Sequence, residues 1–288
     1  MIDKPCSILI SNRNSFEAIQ LCVESVRRYT DTPRITVYDD CSTNGVDIEY
    51  LRKANEQGWL ELIEGHKLGH YKEDFDKPRC GYYAIFFHGR ALNILTASCT
   101  TRYAVILDCD VQILAPGWLD ALIAPMTENP LALGVCDIWP KWIHDRYYVM
   151  PTYKFYFGAL DMERYWDGMA VDWIPRAMDR REEPMLSLFA EWYPVKKHYP
   201  GRNLPKFEED LVRGDPGSPI WLKLTYDNPK GYKILPWPVV ARKACRHFTH
   251  GAINGDGFTY VDGEEARLKN KKFLKIRSEL ANLRQGDK

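Results

Sequence analysis

The alternation of strand-like and helix-like segments in the first part of the chain restricts the fold more than any other feature. Strand-like runs at 6–10, 34–38, 60–64 and 103–107 are short, apolar or alternating, and bounded by polar turns. Segments with apolar residues at helical spacing separate these runs. Four such rounds predict an α/β domain with a Rossmann-like, mostly parallel sheet flanked by helices.

Polar residues cluster directly after three of the predicted strands, at 11–14, 39–45 and 108–110. Ligands of such sheets bind beyond the carboxyl ends of the strands, so we expect the three clusters to share one crevice. In the first cluster, Asn14 with Glu17 three residues later predicts the capped start of a helix.

Two carboxylates, Asp108 and Asp110, follow the strongest strand signal of the chain. A divalent cation such as Mn²⁺ or Mg²⁺, held by carboxylate oxygens, neutralises the charge of a diphosphate leaving group. A D-x-D pair also occurs in solvated turns, so this pattern alone does not define a metal site. Its meaning depends on the motifs around it.

Four segments resemble the motifs of family 2 glycosyltransferases, which have the GT-A fold. Segment 8–14 (ILISNRN) is similar to the first-strand signature of that family, although Ser-Asn-Arg replaces its Pro-Thr-Tyr. Segments 37–43 (VYDDCST), 89–93 (GRALN) and 105–111 (VILDCDV) resemble its V-D-D-x-S turn, G-x-A-x-N helix and L-D-x-D strand. The motifs occur in the family's order within residues 1–125. The resemblance implies a GT-A type fold and a glycosyltransferase.

The same resemblance implies that the donor is a nucleotide diphosphate sugar, with UDP as the commonest nucleotide. Asp39 or Asp40 would accept the N3–H of a uracil-type base, the alternative being an Asx turn closed by Ser42. Arg90 would contact phosphate near a helix N-terminus, the alternative being an ordinary surface arginine. The other predicted contacts of the nucleotide sugar are Ser11, Asn12, Asn14 and Asp108.

The second half of the chain resembles the family less closely and contains the candidates for a catalytic base. The acidic segments 207–210 and 215–222 precede 231–234 (GYKI), in the order of the family's acidic segment and G-Y-K strand. The resemblance implies an inverting transfer, in which one carboxylate removes the proton of the attacking acceptor hydroxyl. A solvated acidic loop is the alternative for each candidate. The candidates are Asp215, which is slightly favoured, Asp210 and Glu209.

Segment 247–251 (HFTHG) resembles the region from which many family members contribute a histidine to the metal or pyrophosphate. A neutral imidazole can complete a coordination shell that has few carboxylates. His250 matches the pattern better than His247, and a packed or exposed histidine is the alternative for both. The predicted metal ligands are therefore Asp108, Asp110 and His250.

The chain is expected to form one domain with a donor-binding and an acceptor-binding half. Residues 1–125 would bind the nucleotide sugar, and residues 126–261, which include an aromatic-rich stretch, would bind the acceptor and supply the base. Residues 262–288 are a predicted basic amphipathic helix. The acceptor is predicted to be a saccharide or other glycan. Modified (hydroxymethylated) DNA is the alternative, because the basic helix suits a polyanion and similar enzymes glycosylate bases in some viral DNAs.

The composition gives expectations about the environment of the protein. Eight cysteines without a C-x-x-C pair favour a reduced, cytoplasmic chain. No apolar run approaches the roughly 20 residues that a membrane span requires. Lys plus Arg and Asp plus Glu both total 39, so the overall charge does not indicate a general polyanion binder.

Three other classes of protein share parts of this pattern. A haloacid-dehalogenase-like phosphatase has its D-x-D on the first strand, followed by Gly-Thr or a similar pair, whereas Val111 and Gln112 follow here. A sugar nucleotidyltransferase requires a glycine-rich loop after the first strand, and segment 11–14 has no glycine. A catalytically inactive sugar-binding module is the alternative from another class, against which the retained aspartates count.

Overall fold

The computed structural model describes residues 6–31, 33–42, 45–69, 83–139, 142–144, 147–149, 152–173, 178–179, 211–213, 217–248 and 271–286. The helices are α1 (Glu17–Arg28), α2 (Gly45–Glu56), α3 (Tyr83–Ser98), α4 (Trp118–Glu128), α5 (Met162–Arg164), α6 (Ser218–Tyr226), α7 (Val239–Lys243) and α8 (Lys271–Gln285). The strands are β1 (Cys6–Asn12), β2 (Arg34–Asp39), β3 (Glu61–Glu64), β4 (Tyr103–Asp108), β5 (Val111–Ile113), β6 (Ala132–Trp139), β7 (Trp142–His144), β8 (Tyr147–Val149), β9 (Thr152–Asp161), β10 (Met178–Asp179), β11 (Leu211–Arg213), β12 (Lys233–Pro236) and β13 (Cys245–His247).

A seven-stranded sheet in the order β12-β6-β9-β4-β1-β2-β3 forms the centre of the protein. Strand β9 runs antiparallel to its neighbours β4 and β6, and every other pairing in this sheet is parallel. The structure therefore confirms the predicted fold class, a mostly parallel sheet flanked by helices. Strands β6, β9 and β12 extend the same sheet. Donor binding by residues 1–125 and acceptor binding by residues 126–261 stay predictions.

The central strands carry mostly apolar residues on both faces, so the sheet is buried on both sides. Side chains alternate along a strand, so Ile8 and Ile10 pack into one hydrophobic cluster and Leu9 into the other. Helices α1 and α4 contribute to the first cluster and α3 to the second. The first cluster includes the fully buried Trp118, whose indole N–H donates to Thr30 Oγ1 at 2.9 Å. This packing holds the carboxyl ends of β1, β2 and β4 in place.

The predicted start of the first helix at Asn14 is wrong. Helix α1 begins at Glu17, and neither Asn14 nor Phe16 lies in helical backbone, since their φ angles are 46° and 53°. The physical reason is competition by distant partners. The backbone N–H of Asn14 donates to Ser42 Oγ at 2.9 Å, and that of Ser15 to Asp47 Oδ2 at 2.8 Å. The chain therefore contacts the end of β2 and the start of α2 before the helix begins.

The last helix packs on α1. Its apolar residues Ile276, Leu280 and Leu283 form one hydrophobic cluster with Ala18 and Leu21 of α1. At its end, the guanidinium of Arg284 donates to both carboxylate oxygens of Glu24, at 2.9 and 2.6 Å. The apolar stripe of this helix is therefore covered by the rest of the domain.

None of the helices that the structure describes is long and apolar enough to cross a membrane. The described cysteines are free thiols, and Cys22 and Cys136 among them are fully buried. Burial raises the pKa of the Cys22 thiol well above its ordinary range. These thiols therefore behave as small apolar groups of the core.

Candidate active site

The three polar clusters meet at one edge of the sheet. In the parallel pairing of β1 with β2 and β4, Asn12 lies beside Asp39, and Ser11 lies beside Asp108. The amide of Asn12 donates to Asp39 Oδ1 at 2.7 Å, which joins the first two clusters directly. The three clusters therefore lie together at the carboxyl ends of β1, β2 and β4.

Two aspartates and a histidine form a cluster at this edge. Asp108 ends β4, Asp110 lies in the following turn, and β5 then pairs antiparallel with β13, which places His247 opposite Val111. The imidazole Nε2 of His247 lies 3.1 Å from Asp110 Oδ1 and 3.8 Å from Asp108 Oδ2. The backbone N–H of Phe248 donates to the carbonyl oxygen of Asp110 at 3.0 Å, which fastens β13 to the D-x-D turn.

This cluster fits a divalent cation. One atom each of Asp108, Asp110 and His247 lies within 4.8 Å of the others. Two carboxylate oxygens and one imidazole nitrogen are donors that Mn²⁺ and related ions accept. The side chain of Asp110 is 7% exposed, whereas Asp108 and His247 keep 26% and 20% of theirs. The buried Asp110 would thus hold a bound ion on the side of the protein interior, and the ion would be accessible to a substrate on the side of Asp108 and His247.

The structure brings His247, the less favoured of the two histidines, to the aspartates. His250 lies outside the described residues, and its part in metal binding stays a prediction. The pairing of β5 with β13 brings His247 close to the two aspartates. Each of these strands has only three residues. Strands this short, far apart in sequence, leave no pattern from which their pairing could be predicted.

A second histidine, His88, was not predicted to belong to the site. It lies on α3, and its Nε2 is 3.3 Å from Asp108 Oδ1, on the other oxygen from the one that His247 approaches. Asp108 therefore lies between two imidazoles. The one available signal is that His88 directly precedes the G-x-A-x-N segment. That motif does not specify which residue comes before it, so it does not predict a histidine there.

Asp39 is fully buried and accepts hydrogen bonds from neutral groups of the crevice. Its donors are the amide of Asn12 at 2.7 Å, the backbone N–H of Ser42 at 3.0 Å and the Ser42 hydroxyl at 2.6 Å. Burial raises the pKa of the Asp39 carboxyl, and these hydrogen bonds oppose the rise. The two hydrogen bonds from Ser42 form the turn that is the alternative to recognition of a base by Asp39. Recognition of a base by Asp39 stays a prediction.

Asp40 is held by a buried arginine. The guanidinium of Arg90 donates to Asp40 Oδ1, the Tyr38 hydroxyl donates to the same oxygen at 3.1 Å, and Arg13 donates to the Asp40 carbonyl at 2.6 Å. Burial raises the pKa of the Asp40 carboxyl, against the opposing effect of Arg90. Arg90 lies in the middle of α3 and is buried, so it is not an ordinary surface arginine, and its contact with phosphate stays a prediction.

Asp47, at the start of α2, is a further residue bonded to the end of β1 that the sequence did not reveal. It is fully buried, and its Oδ2 accepts from the backbone N–H of Ser15 at 2.8 Å and from the Asn12 amide at 3.4 Å. The Ser15 hydroxyl in turn donates to the side-chain amide oxygen of Asn12. Asn12 therefore ties the end of β1 to both β2 and α2.

The three candidates for the catalytic base, Asp215, Asp210 and Glu209, lie outside the described residues. The nearest described helix is α6, which begins at Ser218, three residues after Asp215. The choice among the three acids stays a prediction.

The sequence matches no known protein-family model and no curated protein at a significant level. Among solved structures, the chain is similar to a mannosyltransferase, PcManGT from Pyrobaculum calidifontis, in complex with GDP-Man and Mn²⁺ (16% identity, 57% of this chain and 46% of that one, TM-score 0.40). It is also similar to S. aureus TarS 1-349 in complex with UDP-GlcNAc (14%, 56% and 46%, TM-score 0.37). A third is GalNAc-T7 with UDP, GalNAc and Mn²⁺ (13%, 58% and 37%, TM-score 0.40). The chain spans less than half the length of each.

Proposed function

We propose that the protein is a metal-dependent glycosyltransferase of the GT-A type, which moves a sugar from a nucleotide diphosphate sugar, in the first instance a UDP-sugar, to an acceptor hydroxyl. The observation that carries this proposal is the cluster of Asp108, Asp110 and His247 at the carboxyl edge of the sheet. Motifs similar to those of family 2 glycosyltransferases surround this cluster in the same crevice.

The residues of the crevice divide into metal ligands and groups that shape the donor pocket. When bound, a divalent cation supplies Lewis-acid stabilisation of the departing diphosphate. Asp108, Asp110 and His247 would hold it, and His88 lies beside them with its Nε2 3.3 Å from Asp108 Oδ1. The proposed contacts of the nucleotide sugar are Ser11, Asn12, Asn14, Asp39, Asp40, Arg90 and Asp108.

Asp39 and Arg90 would act on the donor chiefly by fixing the pocket. Asp39 accepts three hydrogen bonds from Asn12 and Ser42, and Arg90 is paired with Asp40. Donors and acceptors that are already bonded within the protein are not available to a ligand, so these side chains act by holding their neighbours in place. Arg90 and Tyr38 donate to only one carboxylate oxygen of Asp40, so Asp40 is the better of the two candidates for contact with the base.

One of three acids is expected to act as the base of an inverting transfer. Substitution of that acid by its amide should lower kcat about 10²- to 10⁴-fold, because proton removal from the acceptor is lost, while Mn²⁺ affinity stays unchanged. Asp215→Asn, Asp210→Asn and Glu209→Gln, compared in single-turnover assays, would identify it. If all three retain wild-type kcat, the proposed base is elsewhere and this part of the proposal fails.

The proposed acceptor is a saccharide or other glycan, with hydroxymethylated DNA as the second candidate, and the proposed location is the cytoplasm. The observation that keeps DNA in consideration is the basic character of α8, which has five Lys/Arg residues against one Glu. Basic side chains near the protein surface attract a phosphate backbone in a salt-dependent way.

A nucleotide-release assay tests the proposed function. The purified chain is incubated with UDP-glucose, UDP-GlcNAc, UDP-GalNAc and GDP-mannose, with Mn²⁺, Mg²⁺ or EDTA, and with saccharide, glycan and hydroxymethylated DNA acceptors. We expect release of one nucleotide that requires metal and is stimulated by one acceptor. Binding of a nucleotide sugar without turnover would instead support the inactive sugar-binding module. Release of inorganic phosphate from phosphate esters would support the phosphatase.

A further inference from the structure

Tyr156 of β9 lies face to face with His247. Their ring centroids are 4.2 Å apart and their planes differ by only 16°. We propose that Tyr156 is a positioning residue that fixes the plane of the His247 imidazole and thereby aims its Nε2 at the metal position beside Asp108 and Asp110. This inference rests on the proposed metal-dependent function.

The orientation of the imidazole plane matters because a metal binds along the nitrogen lone pair, which lies in that plane. The terminal torsion of a histidine side chain has broad, shallow preferences, so the residue does not fix its own ring. Strand β13 is only three residues long, and its pairing with β5 fixes the backbone of His247 and not its ring. The constraint on the ring must therefore come from a neighbouring side chain.

Tyr156 is itself held from two sides. Its hydroxyl donates to Asp137 Oδ2 in β6 at 3.1 Å, and the ring of Trp237 packs edge-on against it at 5.2 Å and 80°. Both Tyr156 and Asp137 belong to the central sheet, whereas His247 lies on the short two-stranded sheet. Through the stacked ring of Tyr156, the central sheet thus restrains His247, the metal ligand on the two-stranded sheet.

Groups that orient a metal ligand commonly change metal affinity about 10- to 100-fold when removed. We therefore expect Tyr156→Leu, which removes the stacked ring, to raise the Mn²⁺ dissociation constant about tenfold. Tyr156→Phe keeps the ring and loses only the hydrogen bond to Asp137, so it should retain most of the affinity. Rescue by Phe separates a role in orienting the imidazole from a role of the hydroxyl.

The dissociation constant is measured from the electron paramagnetic resonance signal of free Mn²⁺, without nucleotide sugar, on the full chain. His247→Ala serves as the reference for complete loss of the imidazole. Thermal unfolding followed by circular dichroism checks that each variant is folded. Tyr156→Met, which keeps more volume, replaces Tyr156→Leu if the latter does not fold.

The outcomes separate this inference from the proposed function. If His247→Ala weakens Mn²⁺ binding and a folded Tyr156→Leu or Tyr156→Met binds as tightly as the wild type, the positioning role is overturned and the metal site stands. If His247→Ala itself binds Mn²⁺ like the wild type, the proposed ligand set is wrong and the positioning role fails with it. A tenfold loss in Tyr156→Leu together with near-wild-type Tyr156→Phe supports the role.

Discussion

The Asp110→Ala protein is expected to lose metal-dependent turnover almost entirely. Asp110 is the most buried of the three clustered side chains, and it is 3.1 Å from His247 Nε2, so its removal takes away one carboxylate and the partner of the imidazole. Loss of Lewis-acid stabilisation of the leaving group is worth several kcal/mol. We expect kcat/KM to fall about 10³-fold or more, equivalent to roughly 4 kcal/mol in the transition state, in the nucleotide-release assay with Mn²⁺.

Asp120→Ala is the matched control for this substitution. Asp120 is an exposed aspartate in the first turn of α4, and its removal should leave kcat/KM unchanged. Mn²⁺ titration of both variants separates a loss of metal from a loss of fold. Wild-type turnover by a folded Asp110→Ala protein would contradict the assignment of the D-x-D turn as the metal site.

The Arg90→Met protein is expected to be strongly destabilised. Arg90 is 9% exposed and pairs with Asp40, which is 2% exposed, so the substitution leaves a buried carboxylate without its main cationic partner. Removal of one member of a buried ion pair costs about 3–5 kcal/mol. We expect the lower end of this range, because Arg13 and the Tyr38 hydroxyl still contact Asp40. Urea unfolding followed by circular dichroism measures the loss.

The double variant Asp40→Asn/Arg90→Met is the control for that experiment. It removes both charges, so at least half of the lost free energy of unfolding should return if the pair acts as a unit. The alternative is that Arg90 serves mainly to bind phosphate. Wild-type stability of Arg90→Met combined with a higher dissociation constant for UDP would support that alternative and contradict the structural role.

The part of the fold that local sequence patterns determine was predictable. Strands β1, β2 and β4 are short apolar runs that end in polar clusters, and parallel strands necessarily present those ends at one edge. The D-x-D turn follows directly, since Asp108 ends β4 and Asp110 lies two residues later. The convergence of the clusters required no knowledge of which side chains touch.

The parts that depend on contacts between distant segments were not predictable. His247 reaches Asp110 through the pairing of β13 with β5, and His88 and Asp47 enter the crevice from helices. Asn14 failed as a helix cap because Ser42, far away in sequence, takes its backbone N–H. Arg90 looked like a free cation because nothing in the sequence shows that Asp40 would be buried against it.

The most direct test of the central claim is anomalous diffraction from a crystal of the protein grown with Mn²⁺ and UDP. The account predicts one strong anomalous peak coordinated by carboxylate oxygens of Asp108 and Asp110 and by His247 Nε2, with the diphosphate of UDP on its open side. A Mn²⁺ peak that lies elsewhere while this cluster holds no ion would contradict it.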